Sequence, residues 1–235
     1  MGITLWYSPL PNSNFSTQFN YLVSSLSTLI PNNELNITYN DFKSYNSDAK
    51  EQCFNSYGFD ILPCHITLMK NIPDDDEIFN KLMKLILAIL HTDEERTNKY
   101  NKYAKIRLQK DNMISFDKGN FFKSCVLEVD KISISILLSM IKIINEHIPE
   151  IPAVDFDVFQ PHISLCYTNN KTISNKEVQN TIEKRMNMYL NLNSCELDWG
   201  VGMGSLYKNK KLGRFYLVRC EGPVDTWEVL RSIDV

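Results

Sequence analysis

Two histidines stand in nearly the same local setting, His65-Ile66-Thr67-Leu68 and His162-Ile163-Ser164-Leu165. Each run is apolar except at two positions, and in a strand residues two apart share a face. Each imidazole therefore has a hydroxyl beside it, while Ile66 and Ile163 turn back into a core. A pair of imidazoles supplies one base and one acid near neutral pH. Such a pair suits cleavage of an RNA phosphodiester. The base deprotonates a 2'-hydroxyl, the acid protonates the departing 5'-oxygen, and hydroxyls donate to the non-bridging oxygens where charge concentrates. The first product carries a 2',3'-cyclic phosphate, which a water can open by the reverse arrangement. This places His65 and His162 as catalytic candidates and Thr67 and Ser164 as phosphate-binding ones, with no metal or other cofactor required. The pattern leaves open which histidine is the acid.

A lone histidine beside a hydroxyl on an apolar strand reads as a core residue. Two copies read differently, because the repeat extends to the flanking aliphatics and falls at matching places in the two halves. The other histidines do not share it. His91 precedes Thr92-Asp93 and His147 precedes Ile148-Pro149, each at a helix end where a favourable dipole contact is a sufficient explanation.

The elements that must position these motifs follow from periodicity. Ile3 to Tyr7 reads as a strand closed by Ser8-Pro9-Leu10-Pro11. A helix follows, capped by Asn14, with Phe15, Phe19, Leu22, Leu26 and Leu29 on one face and Pro31 as its stop. Ile37-Thr38-Tyr39 is a strand candidate, and Ile61 to Leu68 a buried strand that breaks at Asn71 to Pro73. Asp74, Asp75 and Asp76 read as a cap for a helix whose stripe is Ile78, Leu82, Ile86 and Ile89. Lys105 to Lys110 alternates as a half-buried strand and makes a hairpin with Cys125, Leu127 and Val129 through Lys118-Gly119-Asn120. Leu137, Met140, Ile141, Ile144 and Ile148 form a third helical face, Val158 to Tyr167 the second motif strand, and Val178, Ile182 and Met186 a fourth helix. Ser194 to Cys220 reads as strands around Gly200 to Gly204 and a Tyr207 to Arg214 turn. A helix, a strand with a histidine and a helix thus occur once in each half. No linker separates them, so residues 1–235 are expected to form one domain of two lobes sharing a cleft.

Composition bounds the function classes. A net charge of -3 argues against a protein that coats nucleic acid non-specifically, although a local basic patch is compatible with it. Cysteines 53, 64, 125, 166, 195 and 220 show neither Cys-x-x-Cys pairs nor zinc-module spacing, and read as free thiols in a reducing, intracellular compartment. No leader and no apolar run long enough to span a membrane is evident, so the sequons at Asn14, Asn36 and Asn170 read as by-products of asparagine content.

The tandem His-x-Thr/Ser signature resembles that of the 2H phosphoesterase superfamily. Within it the second half is most similar to the U6 snRNA phosphodiesterase family, on the lines Phe122-Lys123-Ser124-Cys125-Val126-Leu127-Glu128-Val129 and Phe156-Asp157-Val158-Phe159-Gln160-Pro161-His162-Ile163-Ser164-Leu165. The likeness runs from Ile3 to about Val218, with only the two motifs sharp. It implies an α+β fold of two pseudo-symmetric lobes, with antiparallel sheets flanked by helices around a central cleft. It implies a metal-independent 3'-5' exonuclease, acting as a monomer in the nucleus on the oligouridine 3' end of U6 snRNA, a step in splicing. It carries catalysis to His65 and His162 and phosphate binding to Thr67 and Ser164. The family usually has serine after the first histidine; Thr67 keeps the hydroxyl. It often has a base-stacking tyrosine six residues before the second histidine; Phe156 keeps the ring without the phenol.

Other residues compete for roles. Lys99, Lys102, Lys105, Arg107 and Lys110, and separately Lys208, Lys210, Lys211 and Arg214 beside Tyr207, can each hold an RNA backbone or simply form solvated faces. Trp199, Phe159 and Tyr167 are stacking candidates, although aromatics beside a motif strand are more often core, and Cys64 and Cys166 read as packing residues. Two alternatives to the exonuclease stand beside it: a cyclic phosphodiesterase opening nucleotide or tRNA-derived 2',3'-cyclic phosphates, and a non-catalytic RNA-binding module.

Overall fold

A strand that is apolar on both faces must be covered on both, and Ile3-Thr4-Leu5-Trp6-Tyr7 has no polar face. The computed structural model describes residues 2–10, 13–27, 64–92, 105–111, 113–116, 125–166, 175–190, 195–199, 213–221 and 227–234. In chain order the elements are β1 (Ile3–Ser8), α1 (Asn14–Ser27), β2 (Ile66–Ile72), α2 (Asp76–Thr92), β3 (Lys105–Arg107), β4 (Ile114–Ser115), β5 (Cys125–Glu128), α3 (Ser135–His147), β6 (His162–Cys166), α4 (Lys176–Tyr189), β7 (Glu196–Asp198), β8 (Arg214–Arg219) and β9 (Glu228–Asp234). The fold is α+β with antiparallel sheets, as expected. β1 is buried at every position, with β2 and β8 antiparallel on its two sides.

Seven strands form one sheet in the order β4-β5-β6-β2-β1-β8-β9, and β3 pairs with β7 separately. The repeated unit read from the sequence is present as β1-α1-β2-α2 and β5-α3-β6-α4. The sheets of the two halves are continuous, because β6 pairs with β2 at Ile66 and Ile163. The order β5-β6-β2-β1 is symmetric about that seam, so a pseudo-two-fold relation passes between the two isoleucines. The helices obey it too. α1 packs on α4 and α2 on α3, each pair taking one helix from each half.

Local chemistry fixes the helix starts. Ser13 caps α1, its Oγ accepting from the Ser16 amide at 3.0 Å, and Asn14, the expected cap, is the first helical residue. Phe15, Phe19 and Leu22 are buried as the periodicity required. Asp75 caps α2, its Oδ1 accepting from Glu77 at 2.7 Å and Ile78 at 3.4 Å. The neighbouring acids do something else. Asp74 pairs with Arg219 at 2.8 Å and Asp76 with Arg231 at 2.7 Å, tying the start of α2 to the β8–β9 hairpin.

Several expected elements are revised. β3 pairs with β7 and meets β5's continuation only through a bridge between Leu108 and Val129, while the antiparallel partner of β5 on that side is β4. The alternation itself holds, with Ile106 and Leu108 buried and Arg107 exposed. The second motif strand begins at His162, and residues 156–158 form a turn. β9 lies beyond the last strand expected from the sequence. Leu29, Pro31, the 37–39 strand, Ile61, the 118–120 turn, Lys99, Lys102, Tyr167, the glycines from 200 to 204, and the basic run 207–211 lie outside the described residues.

Candidate functional site

The Ile66–Ile163 pairing decides how the motifs meet. Continuing that antiparallel register sets His65 opposite Ser164 and Thr67 opposite His162, all four on the face away from Ile66 and Ile163. The histidines therefore occupy diagonal corners of a rectangle and the hydroxyls the other two. Directly opposed side chains start about 4.5–5.5 Å apart and diagonal ones about 7–8 Å apart. A phosphate set over this rectangle has an imidazole on each of two opposite sides and hydroxyls between. That is the requirement of in-line displacement, with the attacking oxygen entering opposite the leaving one.

The corners are unequal in exposure. His65 retains 6% of its surface and Ser164 9%, whereas Thr67 and His162 are half-buried. His65 is held by Trp6, which lies opposite Thr67 on β1 and stacks on the imidazole at 3.6 Å between centroids and 7° between planes. The Nδ1 of His162 lies 2.9 Å from the Gln160 carbonyl oxygen. A carbonyl only accepts, so Nδ1 carries hydrogen and Nε2 is the nitrogen that changes protonation. Pro161 confines Gln160 to extended backbone, which helps to aim that carbonyl.

Two contributors were missed by sequence reasoning. Trp6 was read only as part of the Ile3 to Tyr7 strand, and Glu128, the Cα partner of His162 on β5, was noted only as part of a resembling line. The sequence signal for Glu128 is only that it is a carboxylate in the otherwise apolar run Cys125-Val126-Leu127-Glu128-Val129.

The remaining candidates lie elsewhere. Phe156 is half-buried, with the Lys142 ammonium 5.4 Å from its ring centroid and its carbonyl accepting from Lys131 Nζ at 3.1 Å. A cavity of about 240 Å³ opens beside Thr67 and is lined by Phe159 and Val158, not by Phe156. Trp199 is fully buried between Tyr7 and Phe15 and belongs to the core. Arg214 is buried, bonded to Asp234 and, at 3.4 Å, to the Tyr216 hydroxyl, so it serves the fold and not an RNA backbone. Lys105 and Arg107 share the Glu196 carboxylate at 3.3 and 3.6 Å. Burial pushes the Cys64 thiol well above its ordinary range, which agrees with a packing role. His147, at the end of α3, has Nδ1 2.9 Å from the Ile143 carbonyl, the helix-end contact anticipated for it. Among the described residues no three His, Cys, Asp or Glu side chains gather as metal ligands would, and no helix is long and apolar enough to cross a membrane.

Comparison with known proteins adds three kinds of likeness. The model of a family described as cyclic phosphodiesterase-like protein matches residues 1–235. A 2',3'-cyclic-nucleotide 3'-phosphodiesterase of Saccharomyces cerevisiae is 24% identical over 100% of this chain and 100% of its own length. One of Kluyveromyces lactis is 23% identical over 100% of this chain and 99% of its own. Among solved structures, Kluyveromyces marxianus Usb1 with uridine monophosphate aligns with 81% of this chain and 81% of its own, at 12% identity and a TM-score of 0.38.

Proposed function

We propose, since this chain belongs to the cyclic phosphodiesterase-like protein family and is a phosphodiesterase of the 2H type, that it hydrolyses nucleoside 2',3'-cyclic phosphates to nucleoside 2'-phosphates. The observation that carries the reading is the diagonal placement of His65 and His162 across the β2–β6 seam, with Thr67 and Ser164 between them. One imidazole takes a proton from a water as its oxygen attacks phosphorus. The P–O3' bond breaks, and the other imidazole delivers a proton to the departing 3'-oxygen. The hydroxyls of Thr67 and Ser164 donate to the non-bridging oxygens as charge builds on them. Full-length likeness to yeast 2',3'-cyclic-nucleotide 3'-phosphodiesterases supports the choice of substrate and of the bond broken.

Trimming of an oligouridine 3' end is a second reading, favoured by the resembling segment from Phe156 to Leu165. The same four residues would serve it, with the 2'-hydroxyl of the penultimate nucleotide replacing water. One experiment separates the two. The protein is incubated with each nucleoside 2',3'-cyclic phosphate and with an end-labelled oligouridine, and products are identified by phosphorus NMR and by mass. The expected result is 2'-monophosphate from the cyclic nucleotides and an intact oligouridine. Shortened oligouridine with untouched cyclic nucleotides would replace the first reading by the second. A further check applies to the second reading: a single 2'-deoxy position at the penultimate nucleotide should stop trimming.

A further inference from the structure

β6 begins at His162, opposite Thr67, and residues 152–161 before it contain no strand. Beyond Thr67, β2 therefore runs on without β6 beside it. Its stretch from Leu68 to Asn71 and the segment from Pro152 to Phe159 line the cavity of about 240 Å³, which Thr67 lines as well. Asn71, in the left-handed region at φ 56, also lines the cavity one residue before the end of β2. The geometry points to this cavity as the nucleobase subsite: it takes the base of the cyclic nucleotide, and the main chain of β2 reads the base edge. The inference rests on the reaction proposed above and assigns its specificity pocket.

Four features agree. The cavity shares Thr67 with the phosphate site, so a base entering it leaves the ribose phosphate over the two histidines. Its volume is small for a drug-sized ligand and suits a single flat ring system. Its walls include Met69, Pro152, Val154 and Phe159, which offer apolar cover, and Phe159 can stack on a ring. Among the described residues no strand pairs with this edge of β2 beyond Thr67, and such an edge presents alternating amide donors and carbonyl acceptors, the complement of a nucleobase edge.

The wall opposite β2 is built in advance. Asp155 Oδ1 accepts from the Asp157 amide at 3.0 Å and its carbonyl from the Phe159 amide at 2.9 Å, so one residue sets the turn that places Phe159. Val158, 71% exposed, also lines the cavity and stands where it can cover a seated base. Phe156 is engaged instead with Lys142 and Lys131 and lines no part of the cavity.

The test compares nucleoside 2',3'-cyclic phosphates with ribose 2,3-cyclic phosphate, which has no base. Phe159→Ala should raise KM for the nucleotides about tenfold, since base stacking on an aromatic side chain is worth about 1–3 kcal/mol. KM for the base-free substrate should move less than twofold. Ala153→Phe, on an exposed lining residue, should fill the cavity and act in the same direction if Phe159→Ala folds poorly. Amide NMR provides a readout that needs no turnover: nucleoside 2'-monophosphates should shift the resonances of Leu68 to Asn71 and Phe159, and ribose phosphate should not. Equal effects of either variant on both substrates, or nucleotide-induced shifts elsewhere only, would overturn the subsite. Absence of turnover with the expected shifts present would overturn the reaction and leave the subsite standing.

Discussion

The indole of Trp6 lies flat on the imidazole of His65, 3.6 Å between centroids and 7° between planes. β1 makes this possible by setting Trp6 opposite Thr67 on one side and Tyr216 on the other, while Trp227 meets the indole at 5.9 Å and a 56° tilt. A buried imidazole with one face covered keeps few ring orientations. Trp6→Leu should therefore lower kcat by about 10²-fold, the scale of loss for a misplaced catalytic group, with KM nearly unchanged. Trp6→Phe keeps a flat ring and should recover most of the rate. Steady-state kinetics on both variants checks this; equal loss in the two would mean that core volume, and not ring stacking, is what Trp6 supplies.

Under the proposed reaction the four corners differ in weight. His65→Ala and His162→Ala each remove one proton transfer and should lower kcat by roughly 10²–10⁴-fold. Thr67→Ala and Ser164→Ala each remove one donor to the developing charge and should cost about 10²-fold. Thr67→Ser retains the hydroxyl and should stay close to the parent rate. Circular dichroism on each variant, read beside the rates, separates lost chemistry from lost fold. A His65→Ala variant that turned over at the parent rate would remove the paired acid and base from the account.

How far the sequence reaches depends on the range of the interaction being read. Period-two alternation gave the shared face of His65 and Thr67 and that of His162 and Ser164, because neighbours along a strand decide it. The helical stripes of Phe15, Phe19 and Leu22 and of Leu137, Met140, Ile141 and Ile144 were legible for the same reason. Register between β2 and β6 was not, since nothing near Ile66 in the chain names Ile163 as its partner. Trp6 and Glu128 join the site only through such registers. The cap at Ser13 was missed by one residue because serine and asparagine serve equally there and only the chain's path chooses between them. β9 was missed although Glu228 to Asp234 follows Trp227 with a partial alternation, its pairing to β8 again being a long-range fact.

Stability should fall in alkali for a stated reason. Burial pushes the Cys220 thiol from 9.0 up to about 12, against a hydrogen bond with Thr4 that pulls it down. A thiol whose value is raised on folding contributes stability that is complete below its unfolded value and is lost as pH rises through its folded value. The window is therefore from about 9 to about 12. Cys64, raised by burial as well, acts in the same direction. Denaturation midpoints measured in reductant across this range should decline, and Cys220→Ala should decline less steeply. Parallel curves for parent and variant would show that the loss comes from other groups.

Glu128 and His162 are Cα partners on β5 and β6, and the Val129 amide donates to the Pro161 carbonyl at 3.0 Å just beyond them. That bond marks them as a non-hydrogen-bonded pair, the register in which facing side chains come closest, with Cα atoms about 4.5 Å apart. A carboxylate beside the imidazole favours its charged form during the proton transfer, and it also repels the anionic phosphate. The two effects have opposite signs in the kinetics. At an effective dielectric of about 20, two unit charges about 7 Å apart interact by about 2 kcal/mol, reduced by solvent at a half-buried site. Glu128→Gln, which keeps the shape and removes the charge, should lower kcat by about tenfold and lower KM by a few-fold. Glu128→Asp keeps the charge and should hold kcat within a few-fold of the parent. If Glu128→Gln instead raised KM and left kcat alone, the carboxylate would be contacting the substrate, and its place beside His162 would have no bearing on proton transfer.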